Sequence, residues 1–314
     1  MAHMGSAVDL QLKSVLVATD FSAVSEKPVR HALAIARHYG ARLYVVNIVS
    51  SIGLNMAGPG SVEAAEELAL SDASGFENAL RTTGALDGLD CQTIIRRGDE
   101  VWKQLQNVIS EKQVDLVVVG THARRGLGKL MLGSTAEQIF RGVGCPVLTV
   151  GPDSYRDSHV DSLPDHRTFL FATDFGAASL HALSFAISFA NHFQAQLAML
   201  HVETTFPIEE GGYRWYTADD AIQMLENARI KHECRMKWEL AAQKASLRLE
   251  PRLFVELGTA SEKILELAAR LTADSIILGL HRSRHPGATC HIPWTTAYEV
   301  VCGAKCPVLT VRNW

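Results

Sequence analysis

Two kinds of apolar spacing alternate along this chain. Short runs rich in β-branched residues, Val15–Thr19, Leu43–Ile48, Gln92–Arg96, Leu116–Gly120 and Pro146–Val150, have the length of buried strands. Between them lie longer stretches with helical periodicity, Ser25–Tyr39, Ser61–Thr83, Asp99–Lys112 and Ser134–Val143. In the first of these, Val29, Leu33, Ala36 and Tyr39 fall on one helical face. Strands near 168–173, 197–202, 252–257, 274–279 and 307–311 repeat the pattern in the second half. Strands that alternate with helices predict right-handed βαβ crossovers and a parallel sheet covered on both faces.

The two halves are one unit written twice. "KSVLVATDFSAVSEKPVRHALAIARHYGARLYVVNIVSS" from Lys13 aligns without a gap on "RTFLFATDFGAASLHALSFAISFANHFQAQLAMLHVETT" from Arg167. Asp20 falls on Asp174 and Ile48 on Val202, and "CPVLTV" closes both halves at Cys145 and Cys306. The expected fold is therefore α/β: two tandem Rossmann-like domains, each a five-stranded parallel sheet with helices on both faces. The expected boundaries are a tail or cloning remnant at 1–12, a first domain at 13–150, a linker at 151–166 and a second domain at 167–314. The linker is polar and carries two prolines.

Composition narrows the partners. The chain has 314 residues, a formal net charge of -4 and 47% hydrophobic residues, enough to bury an ordinary core in each half. A mildly acidic balance argues against nucleic-acid or membrane-surface binding, although one local basic site for a small anion remains open. No apolar run has the length of a transmembrane helix, and the first ten residues lack a secretory h-region. The six cysteines form no CxxC pair, so reduced, mostly buried thiols and a cytoplasmic location are expected.

Candidate chemistry gathers where the fourth strand ends. "GTHARRGLGKLMLGST", 120 to 135, is rich in glycine and carries Arg124, Arg125 and Lys129 before a helix that starts near Ser134. In an open parallel sheet, ligands bind beyond the carboxyl ends of strands where the strand order reverses. Glycines allow close backbone approach, and a helix N-terminus offers unpaired N–H groups, so the loop has the makings of a phosphate cradle. It is not a P-loop: Ala123 and Leu130 stand where Gly and Ser or Thr are required. Nor is it the dinucleotide fingerprint, because Met131 occupies the third glycine position. Asp20, at the end of the first strand, reads either as a ligand contact or as a cap of the following helix, with Ser22 or Ser25 as rival caps.

With the "ATDF" strand, Gly120 and Gly133–Ser134 at the right spacing, the chain resembles the universal stress protein family. That family's signature is Gly, two residues, Gly, nine residues, then Gly with Ser or Thr; here Ala123 replaces the second glycine. The resemblance implies a site for ATP, or ADP or AMP, with or without Mg. Ala18, Thr19, Asp20 and Ile48 would wall the adenine end, with Val119 and Gly120 near adenine and ribose. Ala123, Gly133, Ser134 and Thr135 would meet phosphates, and His122 and Arg124 of the same loop complete the candidate set. The resemblance also implies an intrachain pseudo-dimer of the repeats, meeting near 146–150 and 307–311, and a homodimer of the whole chain.

The second repeat departs from this pattern. It keeps Asp174, Val202 and Gly279, but Arg282 takes the second glycine position and Trp294–Thr295 align with Gly133–Ser134. Its phosphate end is therefore expected to be degenerate. His281, His285, Cys290 and His291 lie there, yet without two-residue Cys spacing, and no metal ligands are assigned. His201, which matches Asn47, reads as a buried hydrogen-bonding residue. The leading expectation is a regulatory nucleotide-binding stress-response protein with no catalytic residue. A slow ATP-hydrolysing or self-phosphorylating enzyme and a nucleotide-independent scaffold are the alternatives.

Overall fold

The computed structural model describes residues 10–50, 60–121, 132, 134–152, 154, 167–203, 218–243, 247–280 and 295–312. The chain divides into two compact units. The N-terminal unit comprises residues 11–163 with 305–310, and the C-terminal unit comprises 1–10, 164–304 and 311–314.

In the N-terminal unit the order is β1 (Ser14–Ala18), α1 (Glu26–Tyr39), β2 (Arg42–Ser50), α2 (Ser61–Thr82), β3 (Cys91–Gly98), α3 (Val101–Lys112), β4 (Leu116–Gly120), α4 (Ser134–Gly142) and β5 (Val147–Val150). The strands lie in the order β3-β2-β1-β4-β5 and are parallel. Register follows the apolar runs: Ala18 pairs with Val46 on one side and Val119 on the other. Side chains alternate across a strand. Leu16, Val46, Val117 and Val119 therefore share one face, where they form a core with Leu105, Val108 and Ile109 of α3 and Ile139 of α4. Helix α1 packs against β1, β2 and β4. Its Pro28 lies where a Cβ on Gly120 would point, on the face opposite to Val119. Burial of these branched side chains on both faces, at about 1.5–3 kcal/mol each, is what holds strand and helix together.

Helix α1 begins one residue later than the periodicity predicts. A single 3-10 turn, Ala23–Ser25, precedes it, because Asp20 ties down Ser22 and Ser25. Gly40, at φ +63°, ends the helix in the left-handed conformation that glycine adopts without a Cβ penalty.

The C-terminal unit contains β6 (Thr168–Thr173), α5 (Ala177–His192), β7 (Gln196–Glu203), α6 (Ala218–Ala242), β8 (Arg252–Leu257), α7 (Ala260–Arg270), β9 (Ser275–Leu280) and α8 (Thr295–Gly303). Its parallel strands lie in the order β9-β6-β7-β8. Helix α5 packs closely on β9: a Cβ on Gly279 would stand 2.4 Å from the Ala178 carbonyl carbon. The last strand, β10 (Val308–Arg312), contributes residues 308–310 to the N-terminal unit. There Val308, Leu309 and Thr310 pair antiparallel with Thr149, Leu148 and Val147 of β5. β5 thus has a partner on its outer side, where an apolar edge would otherwise lie open.

Candidate functional site

The end of β1 is shaped by a local hydrogen-bond knot. Thr19 N still donates to Val46 O at 2.9 Å, but the chain then turns, with Phe21 at φ +58°. Phe21 N donates to Thr19 Oγ1 at 2.9 Å, and Ser22 N donates to Asp20 Oδ1 at 3.0 Å. The same carboxylate oxygen accepts from Ser22 Oγ at 2.6 Å and Ser25 Oγ at 2.5 Å. Asp20 thus closes a local turn onto Ser22 and Ser25, while the N-cap positions Ser22 and Ser25 make no side-chain cap bond of their own; Asp20 is also exposed, so the same turn presents it to solvent. Asn47 Nδ2 donates to Thr19 O at 2.8 Å and locks the turn onto β2.

Around this turn the candidate residues come together. β1 is flanked by β2 and β4, and the order of connection reverses between β1 and β4. Ala18 and Ile48 are half-buried, packed on the edge of the core, and Thr19 is buried. Val119 is 2% exposed, with its side chain in that core and its main chain in register between Ala18 of β1 and Thr149 of β5. Gly120 ends β4, and a Cβ there would meet Pro28 Cγ at 2.9 Å. That glycine therefore serves helix–strand packing, whatever else approaches it. Helix α4 starts at Ser134–Thr135 and carries Glu137 in its first turn. His122, Ala123, Arg124 and Gly133 lie outside the described residues, as do Arg125, Lys129 and the loop 281–294 of the second repeat.

A carboxylate at the other end of β4 has a different task. Asp115 Oδ2 accepts from Lys13 N at 2.8 Å, Ser14 N at 3.0 Å and Ser14 Oγ at 3.1 Å, clamping the start of β1 to β4. Two of the thiols are also held back from reactivity. Burial pushes the Cys145 thiol up to about 12 and the Cys91 thiol up to about 11, so neither presents a thiolate near neutral pH. None of the described cysteines forms a disulfide, but Cys234 is exposed and the other four are half-buried, which corrects the expectation of mostly buried thiols.

The C-terminal unit builds the same turn with other side chains. Phe175 has φ +61°, its N donates to Thr173 Oγ1 at 2.9 Å, and Asp174 Oδ1 accepts from Gly176 N at 2.8 Å and Ser179 Oγ at 2.5 Å. His201 stands in place of Asn47 and bonds Thr173 O through Nδ1 at 2.9 Å. Phe175 packs on the His201 ring at 4.3 Å and on the His232 ring at 5.5 Å between centroids, and the Arg235 guanidinium lies 4.3 Å over Phe175. Both repeats thus carry a strand-end turn of one design, and among the described residues the second surrounds it with imidazoles.

Comparison with known proteins matches this architecture. The model of the universal stress protein family fits residues 11–151 and again 166–312. The chain belongs to the universal stress protein family. It is 29% identical over 139 residues to universal stress protein MJ0531 of Methanocaldococcus jannaschii, covering 44% of this chain and 81% of that one. It is also 29% identical over 193 residues to a universal stress protein of Mycolicibacterium smegmatis, across 60% of this chain and 63% of its relative. The crystal structure of a universal stress protein from Archaeoglobus fulgidus superposes with a TM-score of 0.65 at 21% identity, covering 96% of both chains. That likeness shows the tandem Rossmann-like fold.

Within this universal stress protein, the sequence singled out the turn residues but missed Glu203 and His232. Glu203 could have been noticed, since it lies two residues after His201 and so on the same face of β7. His232 arrives from α6, and no local spacing connects it to the strand.

Proposed function

We propose that the N-terminal unit of this universal stress protein binds one adenine nucleotide, ATP or its ADP or AMP relatives, as a regulatory ligand. The observation that supports this most is the strand order. The reversal between β1 and β4 lies at the Asp20 turn, and the glycine-rich loop leaves from Gly120 there and returns into α4 at Ser134. A crevice at such a reversal is where open α/β sheets take nucleotides. Ala18, Thr19 and Ile48 offer apolar and hydroxyl surface for a base, and the main chain where β4 passes Val119 and ends at Gly120 would offer polar groups at that strand end. At the start of α4, unpaired N–H groups and the helix dipole favour phosphate, with Arg124 of the loop as a further cation. Mg would accompany a triphosphate by its charge alone.

No chemical step is assigned. Phosphoryl transfer needs a metal-holding carboxylate and a group that positions the nucleophile. Asp20 is engaged by Ser22 and Ser25, and Asp115 sits at the opposite end of its strand. Binding would instead act through linkage, since a nucleotide held only by the folded unit stabilises it by about 2.7 kcal/mol at a hundredfold excess over Kd. A stress-response role, a cytoplasmic setting, an intrachain pair of repeats joined through the β5–β10 pairing and a homodimer belong to the same proposal. Native mass spectrometry of gently purified chain tests the ligand. Recovery of an adenine nucleotide supports the reading. A chain that carries none, and whose melting temperature does not respond to millimolar ATP, contradicts it.

A further inference from the structure

We propose that His201, Glu203 and His232 form a binding site for a divalent transition metal, with Zn2+ as the best match, in the C-terminal unit. One ligand atom from each residue lies within 4.8 Å of the others, and the three come from the end of β7 and the middle of α6. His232 Nε2 and Glu203 Oε2 are 3.0 Å apart. In a tetrahedral zinc site with bonds of about 2.0–2.1 Å, neighbouring ligand atoms stand about 3.3 Å apart. A cation can therefore enter between these two atoms with little movement.

The protonation chemistry fits. His201 Nδ1 is 2.9 Å from Thr173 O, and a carbonyl oxygen only accepts, so Nδ1 carries the hydrogen. Nε2 of His201 is left with a lone pair, and a backbone carbonyl behind the ring is the usual support of a metal-bound imidazole. His232 is 8% exposed, and its Nδ1 is buried without a hydrogen-bond partner. Nothing therefore fixes its proton on Nε2 except Glu203, and transfer to Nδ1 frees Nε2 for a cation. The Glu203 carboxylate supplies compensating charge.

The surroundings are those of a bound ion more than of a charged surface patch. Phe175 covers both rings, and the Arg235 guanidinium, 4.3 Å over Phe175, donates from Nη2 to Phe175 O at 3.3 Å and lies with Nε 3.8 Å from Glu239, so this cation is held by other partners rather than by Glu203. Two nitrogens and one carboxylate leave a fourth position open, which suits zinc and the neighbouring first-row ions better than Mg2+ or Ca2+. The first repeat supplies an internal contrast. Asn47 and the buried Val49 occupy the positions of His201 and Glu203, so this donor set belongs to the second repeat alone.

The test is Zn2+ titration of nucleotide-free full-length chain against a chromophoric chelator, with Co2+ absorption as a second readout. About one equivalent should bind, and His201→Ala, His232→Ala and Glu203→Gln should each weaken it by about tenfold or more. His285→Ala and Cys290→Ser should leave it unchanged. Co2+ should give visible bands of a nitrogen and oxygen site with no thiolate charge-transfer band. Glu203→Gln preserves shape, so it decides the matter if His232→Ala fails to fold. No Zn2+ uptake by the wild type, uptake indifferent to His201→Ala and Glu203→Gln, or a thiolate band would each overturn the proposal.

Discussion

Asn47 Nδ2 donates to the carbonyl oxygen of Thr19 at 2.8 Å, and in the second repeat His201 Nδ1 makes the equivalent bond to Thr173 at 2.9 Å. The bond is the same, but the titration is not. Burial, with His232 and Arg235 beside it, lowers the His201 pKa from its ordinary 6.5, while Thr173 O and Glu203 oppose the shift. The unfolded chain therefore binds a proton that the folded unit resists. Stability from this residue is present above 6.5 and is lost as pH falls through the lower, folded value. In chelator, His201→Asn should keep the bond and remove that acid-side loss. Denaturant midpoints of the C-terminal unit between pH 7 and pH 5 check this; equal slopes for both chains would refute it.

Glu239 has the opposite sign. Its side chain is 2% exposed, Oε2 has no hydrogen-bond partner, and burial raises its pKa from 4.5 although Arg235 pulls it down. The folded unit holds this proton more tightly than the unfolded chain. Its contribution is full below 4.5 and declines as pH rises through the folded value. Glu239→Gln, which carries no charge to bury, should therefore stabilise the C-terminal unit more at pH 8 than at pH 5. Thermal midpoints at the two pH values measure the difference, and a Gln variant equally or less stable at pH 8 would count against it.

Gly120 and Gly279 occupy equivalent strand ends but differ in tolerance. A Cβ at Gly279 meets main-chain atoms of Ala178 and Ser179 at 2.4–2.5 Å, whereas at Gly120 it meets the ring of Pro28 at 2.9 Å. Backbone cannot give way as a side chain can. Gly279→Ala should cost roughly 1–3 kcal/mol or more, and Gly120→Ala should cost less. Urea unfolding of each variant, followed in its own unit, ranks them.

Leu309 belongs to the second repeat in sequence but pairs with Leu148 of β5 and is fully buried. Leu309→Ala should cost about 2–5 kcal/mol. The loss should appear in the N-terminal unit, as faster amide exchange at residues 147–150. Unchanged protection there would show that β5 does not depend on this strand.

Most of the architecture was legible because it rests on local periodicity. The apolar runs at Leu43–Ile48 and Leu116–Gly120 lie within β2 and coincide with β4, since buried parallel strands are apolar on both faces. The internal repeat aligned Asp20 with Asp174, and both residues make the same turn. What the sequence could not show is contact between elements far apart in the chain. Nothing in the local sequence links Gly120 to Pro28, which packs beside it. His201 looked like an isolated polar residue because His232 approaches from a helix more than thirty positions away.

Equilibrium dialysis of the full chain against labelled ATP tests the central claim most directly. About one ATP should bind per chain, because the sequence of the first repeat places a glycine-rich stretch and Gly133 before α4, whereas the second places Trp294 before α8. Gly133→Trp should abolish binding and leave the circular dichroism spectrum unchanged, since an indole there takes up phosphate space. Two equivalent sites per chain, or full binding by Gly133→Trp, would contradict the account.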